Sequence, residues 1–283
     1  MRLLLLLPAR DEPRYASFAS QLVEPMVRPL KGQGIEVETA PWTEVGDFAD
    51  FDAVTPLLAW SYHEREAQWR ILLERLAESG VGVVNSLGAL AWNTRKTYLA
   101  EIEAAGAPVV PTLFVDRLTP AAIAEAHDRF GPEIIAKPQV SAGSSGTIRV
   151  SVGSGLEGGP SGPAMLQPFL PAVAEEGELS LLYFGGVFSH AIGKVASPGD
   201  FRVQIQYGGA YSAIEATPEM IKAAGEVIDA AGRPLTYARI DLIRDTEGVL
   251  RLMELEAIEP DLYLGHAPDG GAAFAKAVRA AMG

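Results

Sequence analysis

The chain has 283 residues, 48% of them hydrophobic and 21% charged, with a formal net charge of -13 and no cysteine. That balance is ordinary for a globular protein, and the lack of cysteine excludes disulfides, thiolate catalysis, Cys-based zinc sites and iron–sulfur clusters. The acidic surplus argues against nucleic acid as a partner, yet a few local Lys and Arg with a metal ion can still hold a nucleotide.

The opening run RLLLLLP reads as a buried strand. It is too short for a signal-peptide core and ends in proline and charges, and nothing reads as a membrane span, so a cytoplasmic location is expected. A helix over 16–30, a strand over 35–42 and a third, nearly all-apolar strand over 51–60 follow. The sequence EREAQWRILLERLAESG predicts an amphipathic helix stopped by Gly80, and VGVVN a fourth strand. Strands and helices in alternation point to a parallel sheet with its ligand crevice at the strand C-termini. Residues 1–86 are therefore expected to form an N-terminal α/β lobe.

From Leu87 the pattern changes. NTRKTYLAEIEAAG predicts one helix opened by Asn93 or Thr94, PVVPTLFV a strand, and TPAAIAEAHDRFG a helix with Thr119 as N-cap and Pro120 at its first position. EIIAKPQV and TIRVSV read as strands joined by the loop 141–146, and the Gly/Pro/Ser stretch 152–164 reads as a loop. AMLQPFL, ELSLLYFGG and VFSHAIGKV read as antiparallel strands; a helix over 218–231 precedes the strand pair TYARIDLIR and VLRLMELEA, turning at 245–248. A short Ala-rich helix ends the chain. The expected division is a small subdomain over 87–165 and a C-terminal subdomain over 166–283, both α+β.

The last strand pair carries the sharpest chemical signal. Residues two apart on a strand point the same way, so Arg239 and Asp241 share one face, and Glu254 and Glu256 share one face of the partner strand. Converging acids on a half-buried sheet need cations to offset repulsion and desolvation. Hard oxygen ligands in that number suit Mg²⁺. A solvated edge hairpin is the alternative, and spacing alone leaves both open. The loop SAGSSGT is the second signal: small residues let backbone N–H groups approach phosphate, and Ser144, Ser145 and Thr147 add hydroxyls. By itself such a loop is usually a flexible turn; its position directly after Lys137-Pro138 makes it a candidate triphosphate clamp as well. It is not a Walker A loop, because a strand follows it. Gly153, Gly155 and Gly158 match a dinucleotide-binding spacing, but Pro160 and Pro163 prevent the helix that such a fingerprint requires.

Taken in order, Lys96 in WNTRKTYL, Lys137-Pro138 with SAGSSGT, QPFL before EEGELS, Arg202 in DFRVQ, ARIDLIR and LMELEAIEP resemble the ATP-grasp superfamily, in its branch with a glutathione-synthetase-type ATP-binding domain. Within that branch the chain resembles the D-cycloserine ligase group. The resemblance runs from about residue 85 to 260, with a compatible N-terminal lobe. It implies an ATP-grasp fold, α/β and α+β in several lobes, with ATP and Mg²⁺ as cofactors. Lys96 and Lys137 then bind ATP phosphates beneath a flap formed by Ser141, Gly143, Ser144, Ser145 and Gly146. Gln167, Phe169 and Leu170 form the hinge that reads adenine, and Glu178 holds the ribose, with Glu175 and Glu176 as rivals. Asp241, Glu254 and Glu256 carry the metal, while Arg239 and Arg202 stabilise charge in the transition state. Two departures stand out: Glu256 occupies a position where many relatives have Asn, and Gln167 one where they have Glu.

The activity so implied is ADP-forming ligation: a carboxylate-type group is phosphorylated and an amine displaces the phosphate, within one molecule or between two. A phosphotransferase, a protein-modifying ligase and an inactive nucleotide-binding scaffold are the alternatives. The partner is a small molecule, with neither nucleic acid nor membrane, and a homodimer is compatible with the chain. Tyr62 and His63 lie at the crevice end of the third strand and are substrate candidates, though packing against the next helix explains them slightly better. His190 is a further candidate, as are Asp11 and Arg14 just after the first strand.

Overall fold

Three sheets organise the chain, and the computed structural model describes residues 1–283 apart from the side chain of Arg14. The first sheet has the order β2-β1-β3-β4 with every pairing parallel. Its central strand β1 (Arg2–Leu7) is buried on both faces. Leu3 and Leu5 join one core with α1 (Pro13–Gly32) and α8 (Ala272–Ala281), while Leu4 and Leu6 join another with α2 (Glu66–Ser79). A leucine run serves here because both sides of a covered parallel strand are apolar. Gly80 takes φ 70° to end α2, as expected for a left-handed helix cap. The other strands are shorter than the sequence suggests: β2 is Glu36–Pro41, β3 Ala53–Thr55 and β4 Gly82–Val83. The third strand stops at Pro56, which has no N–H to continue the ladder.

The expected single helix from Asn93 is two, α3 (Leu87–Asn93) and α4 (Tyr98–Ala104). Asn93 closes the first rather than opening the second. Its amide is committed elsewhere, donating to the Leu255 carbonyl at 2.8 Å and accepting from Ala257 N–H at 2.8 Å. In the intervening turn, Lys96 N–H donates to the Gln139 carbonyl.

The second sheet is antiparallel in the order β5-β8-β6-β7, formed by Leu113–Val115, Ala164–Pro168, Glu133–Pro138 and Ile148–Ser151. Strand β8 thus pairs here, not with the antiparallel strands that follow it in sequence. Helix α5 (Pro120–Phe130), capped by the Thr119 hydroxyl, covers this sheet through Ala122 and Ala126. A single turn, α6 (Ala172–Glu175), leads to the third sheet. That sheet is antiparallel in the order β11-β10-β9-β12-β13, with strands Ala210–Ile214, Val187–Val195, Glu178–Phe184, Tyr237–Arg244 and Leu250–Glu256. One face packs on α4 and α7 (Pro218–Ala231), and the other meets the first sheet's core through Leu182, Phe184 and Tyr237. Among the described residues, no helix is long and apolar enough to cross a membrane.

Candidate active site

Strand β13 is the edge of the third sheet, and an open edge leaves backbone groups unpaired. Side chains from residues 85–98 fill that role. The Tyr98 hydroxyl donates to Leu255 O at 2.8 Å and accepts from Leu255 N–H at 3.0 Å. Asn93 bridges Leu255 and Ala257, and Asn85 donates to the carbonyls of Ala257 and Tyr237. The end of β13 is therefore rigid, and the same segment that secures it delivers Lys96.

The hairpin register sets Arg239 opposite Glu256 and Asp241 opposite Glu254, with an irregularity just after Asp241. Arg239 grips Asp241 through Nε and Nη2 at 2.9 Å and reaches Glu256 at 2.5 Å. The Ser180 hydroxyl donates to Asp241 at 2.5 Å, and Lys194 lies 3.4 Å from it and 2.6 Å from Glu178. Lys96 pairs with Glu254 at 2.9 Å and donates to the Ser141 carbonyl at 2.6 Å. Burial alone would raise the Asp241 carboxyl, but Arg239 and Lys194 together hold it well below the usual range. Burial pushes the Glu256 carboxyl up to about 7 despite Arg239. One oxygen each from Asp241, Glu254 and Glu256 lies within 4.8 Å of the others. The acids thus face a cleft and not bulk water, which resolves the question that their spacing left open.

A cavity of about 460 Å³ lies between the sheets and takes lining from all three parts of the chain. Lys137, at the end of β6, enters it half-buried, and its ammonium has no hydrogen bond or ion pair among the described residues. Burial accordingly lowers its pKa. A cation held out of water without a counter-ion is poised for an anionic ligand. Over it stands the flap. Gly143, Ser144 and Gly146 take φ of 57°, 60° and 68°, a left-handed run that turns successive N–H groups to one side. Gly146 is needed on two counts: its φ, and the Pro138 ring that a Cβ would meet at 2.9 Å. Besides the Lys96 bond to Ser141 O at its base, the flap is tied across the cleft by the Gln206 amide, which donates to Gly143 O at 3.1 Å.

At the hinge, the Gln167 amide donates to the Thr112 hydroxyl at 2.9 Å. Phe169 N–H is occupied by Glu133 O, while Leu170 N–H has no protein acceptor among the described residues and lines the cavity. Glu178 also lines it; one carboxylate oxygen holds Lys194. Glu175 is exposed and outside the lining, and Glu176 pairs with Arg244. Arg202 lines the cavity from the loop before β11, bidentate to Asp200 and stacked 3.7 Å above Tyr207.

Several substrate candidates are placed elsewhere. Tyr62 is core, 5.1 Å from Trp69 and 4% exposed, because its short helical turn packs the ring inward. His190 ties β10 to the carbonyl of Leu262 and to Ser189, outside the lining. Asp11 pairs with Arg65, and the Arg14 side chain lies outside the described residues. His63 does line the cavity, with Glu64 3.5 Å away. Lys194 and Glu259 are among the lining residues that escaped the sequence reading. Lys194 was visible as a lysine in a strand, next to Gly193 and without a partner to suggest its use. Glu259 follows the last strand, where no periodicity fixes its direction; it is 6% exposed. Burial and Glu256 raise its carboxyl well above the usual range.

Known proteins share this fold. The family model for the N-terminal domain of D-cycloserine synthetase DcsG matches residues 8–85. The cycloserine biosynthesis protein DcsG of Streptomyces lavendulae is 28% identical over 276 residues, covering 90% of this chain and 91% of that protein. A crystal structure of D-cycloserine synthetase DcsG superposes with a TM-score of 0.85 over 100% of both chains at 28% identity. D-alanine–D-alanine ligase from Bacillus anthracis (TM-score 0.71, 14% identity, 100% of this chain and 97% of that one) and the ATP-grasp ligase PsnB (0.65, 21%, 98% and 99%) share the fold. The chain has the fold of the ATP-grasp ligases, and over its whole length it resembles D-cycloserine synthetase DcsG.

Proposed function

We propose that the cavity binds Mg-ATP and that the chain activates a carboxylate-type group of an amino-acid-like small molecule for C–N bond formation, ring closure within one molecule included. A carboxylate is a poor electrophile because its leaving group is oxide. In the proposed reaction a carboxylate oxygen attacks the γ-phosphorus and ADP departs. The amine nitrogen then attacks the acyl carbon, the C–O bond to phosphate breaks, and the amine proton is lost to solvent or a nearby base. No nucleophilic side chain is required; the protein positions reactants and offsets charge.

One observation carries this reading. Lys96 from the segment after α3, Lys137 from the second sheet and the acids of the third sheet line a single cavity, with Lys96 touching Glu254. In this reading both lysines hold phosphates and the flap N–H groups cover them. Leu170 N–H and the carbonyls of the hinge address adenine. Glu178 offers its second oxygen to the ribose, since Glu175 stands outside the cavity. The donor set fits Mg²⁺: three carboxylates in reach of one point, two of them partly open at 26% and 21% side-chain exposure. Once bound, the ion offsets charge on the phosphate oxygens; Asp241, Glu254 and Glu256 hold it, and Arg239 positions the two acids it touches. Arg202 reaches the transferring phosphoryl group from the opposite loop, and the reaction proceeds on a small molecule in the cytoplasm.

The test is ADP release with Mg-ATP and paired carboxylates and amines, starting from amino acids and ureido amino acids, with product masses. ADP together with an amide or cyclised product is expected. ADP with a stable phosphorylated product assigns a phosphotransferase instead, and the failure of Mg-ADP to bind at all overturns the reading.

A further inference from the structure

Glu259 poses a problem that the nucleotide does not solve. It is 94% buried by its 6% exposure and lines the cavity, yet its carboxylate makes no hydrogen bond or ion pair among the described residues. Every other buried acid of the cleft has a partner: Asp241 has Arg239, Ser180 and Lys194, and Glu178 has Lys194. Nor does Glu259 belong to the metal group, whose three oxygens come from Asp241, Glu254 and Glu256. The backbone that carries it is fixed. Its carbonyl accepts from Trp60 Nε1 at 3.0 Å, and the preceding Ile258 carbonyl accepts from the buried Tyr237 hydroxyl at 3.0 Å. Two residues on, Asp261 lines the same end, one oxygen held by Tyr263 N–H at 2.8 Å. Two carboxylates without an ion pair among the described residues thus line the same cavity as Lys137 and the flap. Beside those carboxylates stand the rings of Trp60 and Tyr263, whose faces also attract cations.

We propose that Glu259 receives the ammonium group of the substrate, so that the ligase selects carboxylates carrying a free amino group. This rests on the proposed ATP-dependent ligation and adds to it the reason for an amino-acid-like substrate. A buried acid without a partner is a cost to the empty protein that a cationic ligand removes. Anchoring the ammonium there leaves the substrate's other end directed toward the metal-bearing acids and Lys96, where a carboxylate must lie to meet the γ-phosphate. Asp261 and the aromatic rings reinforce the selection without setting its geometry.

The experiment uses the whole chain saturated with Mg-ADP and calorimetric titration with D- and L-serine, alanine and ornithine, each beside its analogue lacking the α-amino group (glycerate, lactate and 5-amino-2-hydroxypentanoate). At least one amino acid is expected to bind wild type at least tenfold more tightly than its analogue. That preference disappears in Glu259→Gln, while Mg-ADP affinity and melting temperature remain as in wild type. Glu259→Asp, which keeps the charge, is expected to restore part of it. Three results overturn the proposal: equal binding of amino acid and analogue by wild type, unchanged preference in Glu259→Gln, or no binding by any panel member while Mg-ADP binds. A protein that fails to bind Mg-ADP refutes the nucleotide reading itself, and the ammonium subsite falls with it.

Discussion

The hairpin β12–β13 and the flap between β6 and β7 face the same cavity and are built in opposite ways. The hairpin is secured from every side: Arg239 spans Asp241 and Glu256, Lys96 holds Glu254, and Asn93 and Tyr98 cover the open edge. The flap has left-handed backbone at Gly143, Ser144 and Gly146, and it is tied across the cleft at its base by Lys96 to the Ser141 carbonyl and at Gly143 by Gln206. The proposed function asks for that difference: ion-binding geometry tolerates little movement, whereas a cover over an acylphosphate must open and close. The same division separates the cleft's lysines. Lys194 is buried between two acids, and Lys137 has no partner among the described residues. One holds the structure together, and the other awaits a ligand.

Substitutions can break that comparison. The largest effect is expected from Lys137→Ala, which should weaken Mg-ADP binding and lower ADP formation by about 10²- to 10³-fold with the melting temperature nearly unchanged, since no partner is orphaned. Lys194→Met should do the reverse in kind: leaving the buried Glu178 without its cation costs about 3–5 kcal/mol, read as a lower denaturation midpoint. If both variants lose the same property, the distinction between the lysines fails. Gly146→Ala, which puts a Cβ against Pro138 at a left-handed φ, should cost roughly 1 kcal/mol. It should raise the KM for ATP several-fold with little change in kcat. A flap that is only a passive turn would leave both constants alone.

The smallest effect is a pH dependence. The Glu256 carboxyl is raised to about 7 in the folded protein, so the folded state binds protons that the unfolded state has released. Its contribution to stability is complete below the unfolded carboxylate range and is lost as pH rises through about 7. Metal-free protein should therefore melt lower at pH 8 than at pH 5.5, with a shallower slope in Glu256→Gln. Affinity for Mg²⁺ should rise over the same interval as the carboxylate ionises.

How much of this was legible in the sequence follows from how each residue is held. Asp241, Glu254 and Glu256 could be read because acids at period two interrupt an apolar strand, and a strand fixes direction. Lys137 and the flap could be read from their order, a lysine leaving a strand into a Gly/Ser loop. Lys96 needed the family resemblance, since its placement depends on a break between α3 and α4 made by Asn93, whose partners lie more than 160 residues away. Glu259 follows the end of a strand, where no periodicity operates. Tyr62 and His63 could not be told apart for a related reason: position at the crevice end of a sheet does not tell whether a ring turns into the cleft or into the core. Strand β8 was grouped with its sequence neighbours, although Ile134 to Pro138 offered it an earlier partner.

The most direct test is calorimetric titration of ATP, with and without Mg²⁺, into wild type, Lys137→Ala and the double variant Glu254→Gln with Glu256→Gln. Tight binding that needs Mg²⁺ in wild type, weakens in the lysine variant and loses its Mg²⁺ dependence in the double variant is the expected result. Equal affinity across all three proteins, with or without the ion, would contradict a triphosphate held between lysine and acid.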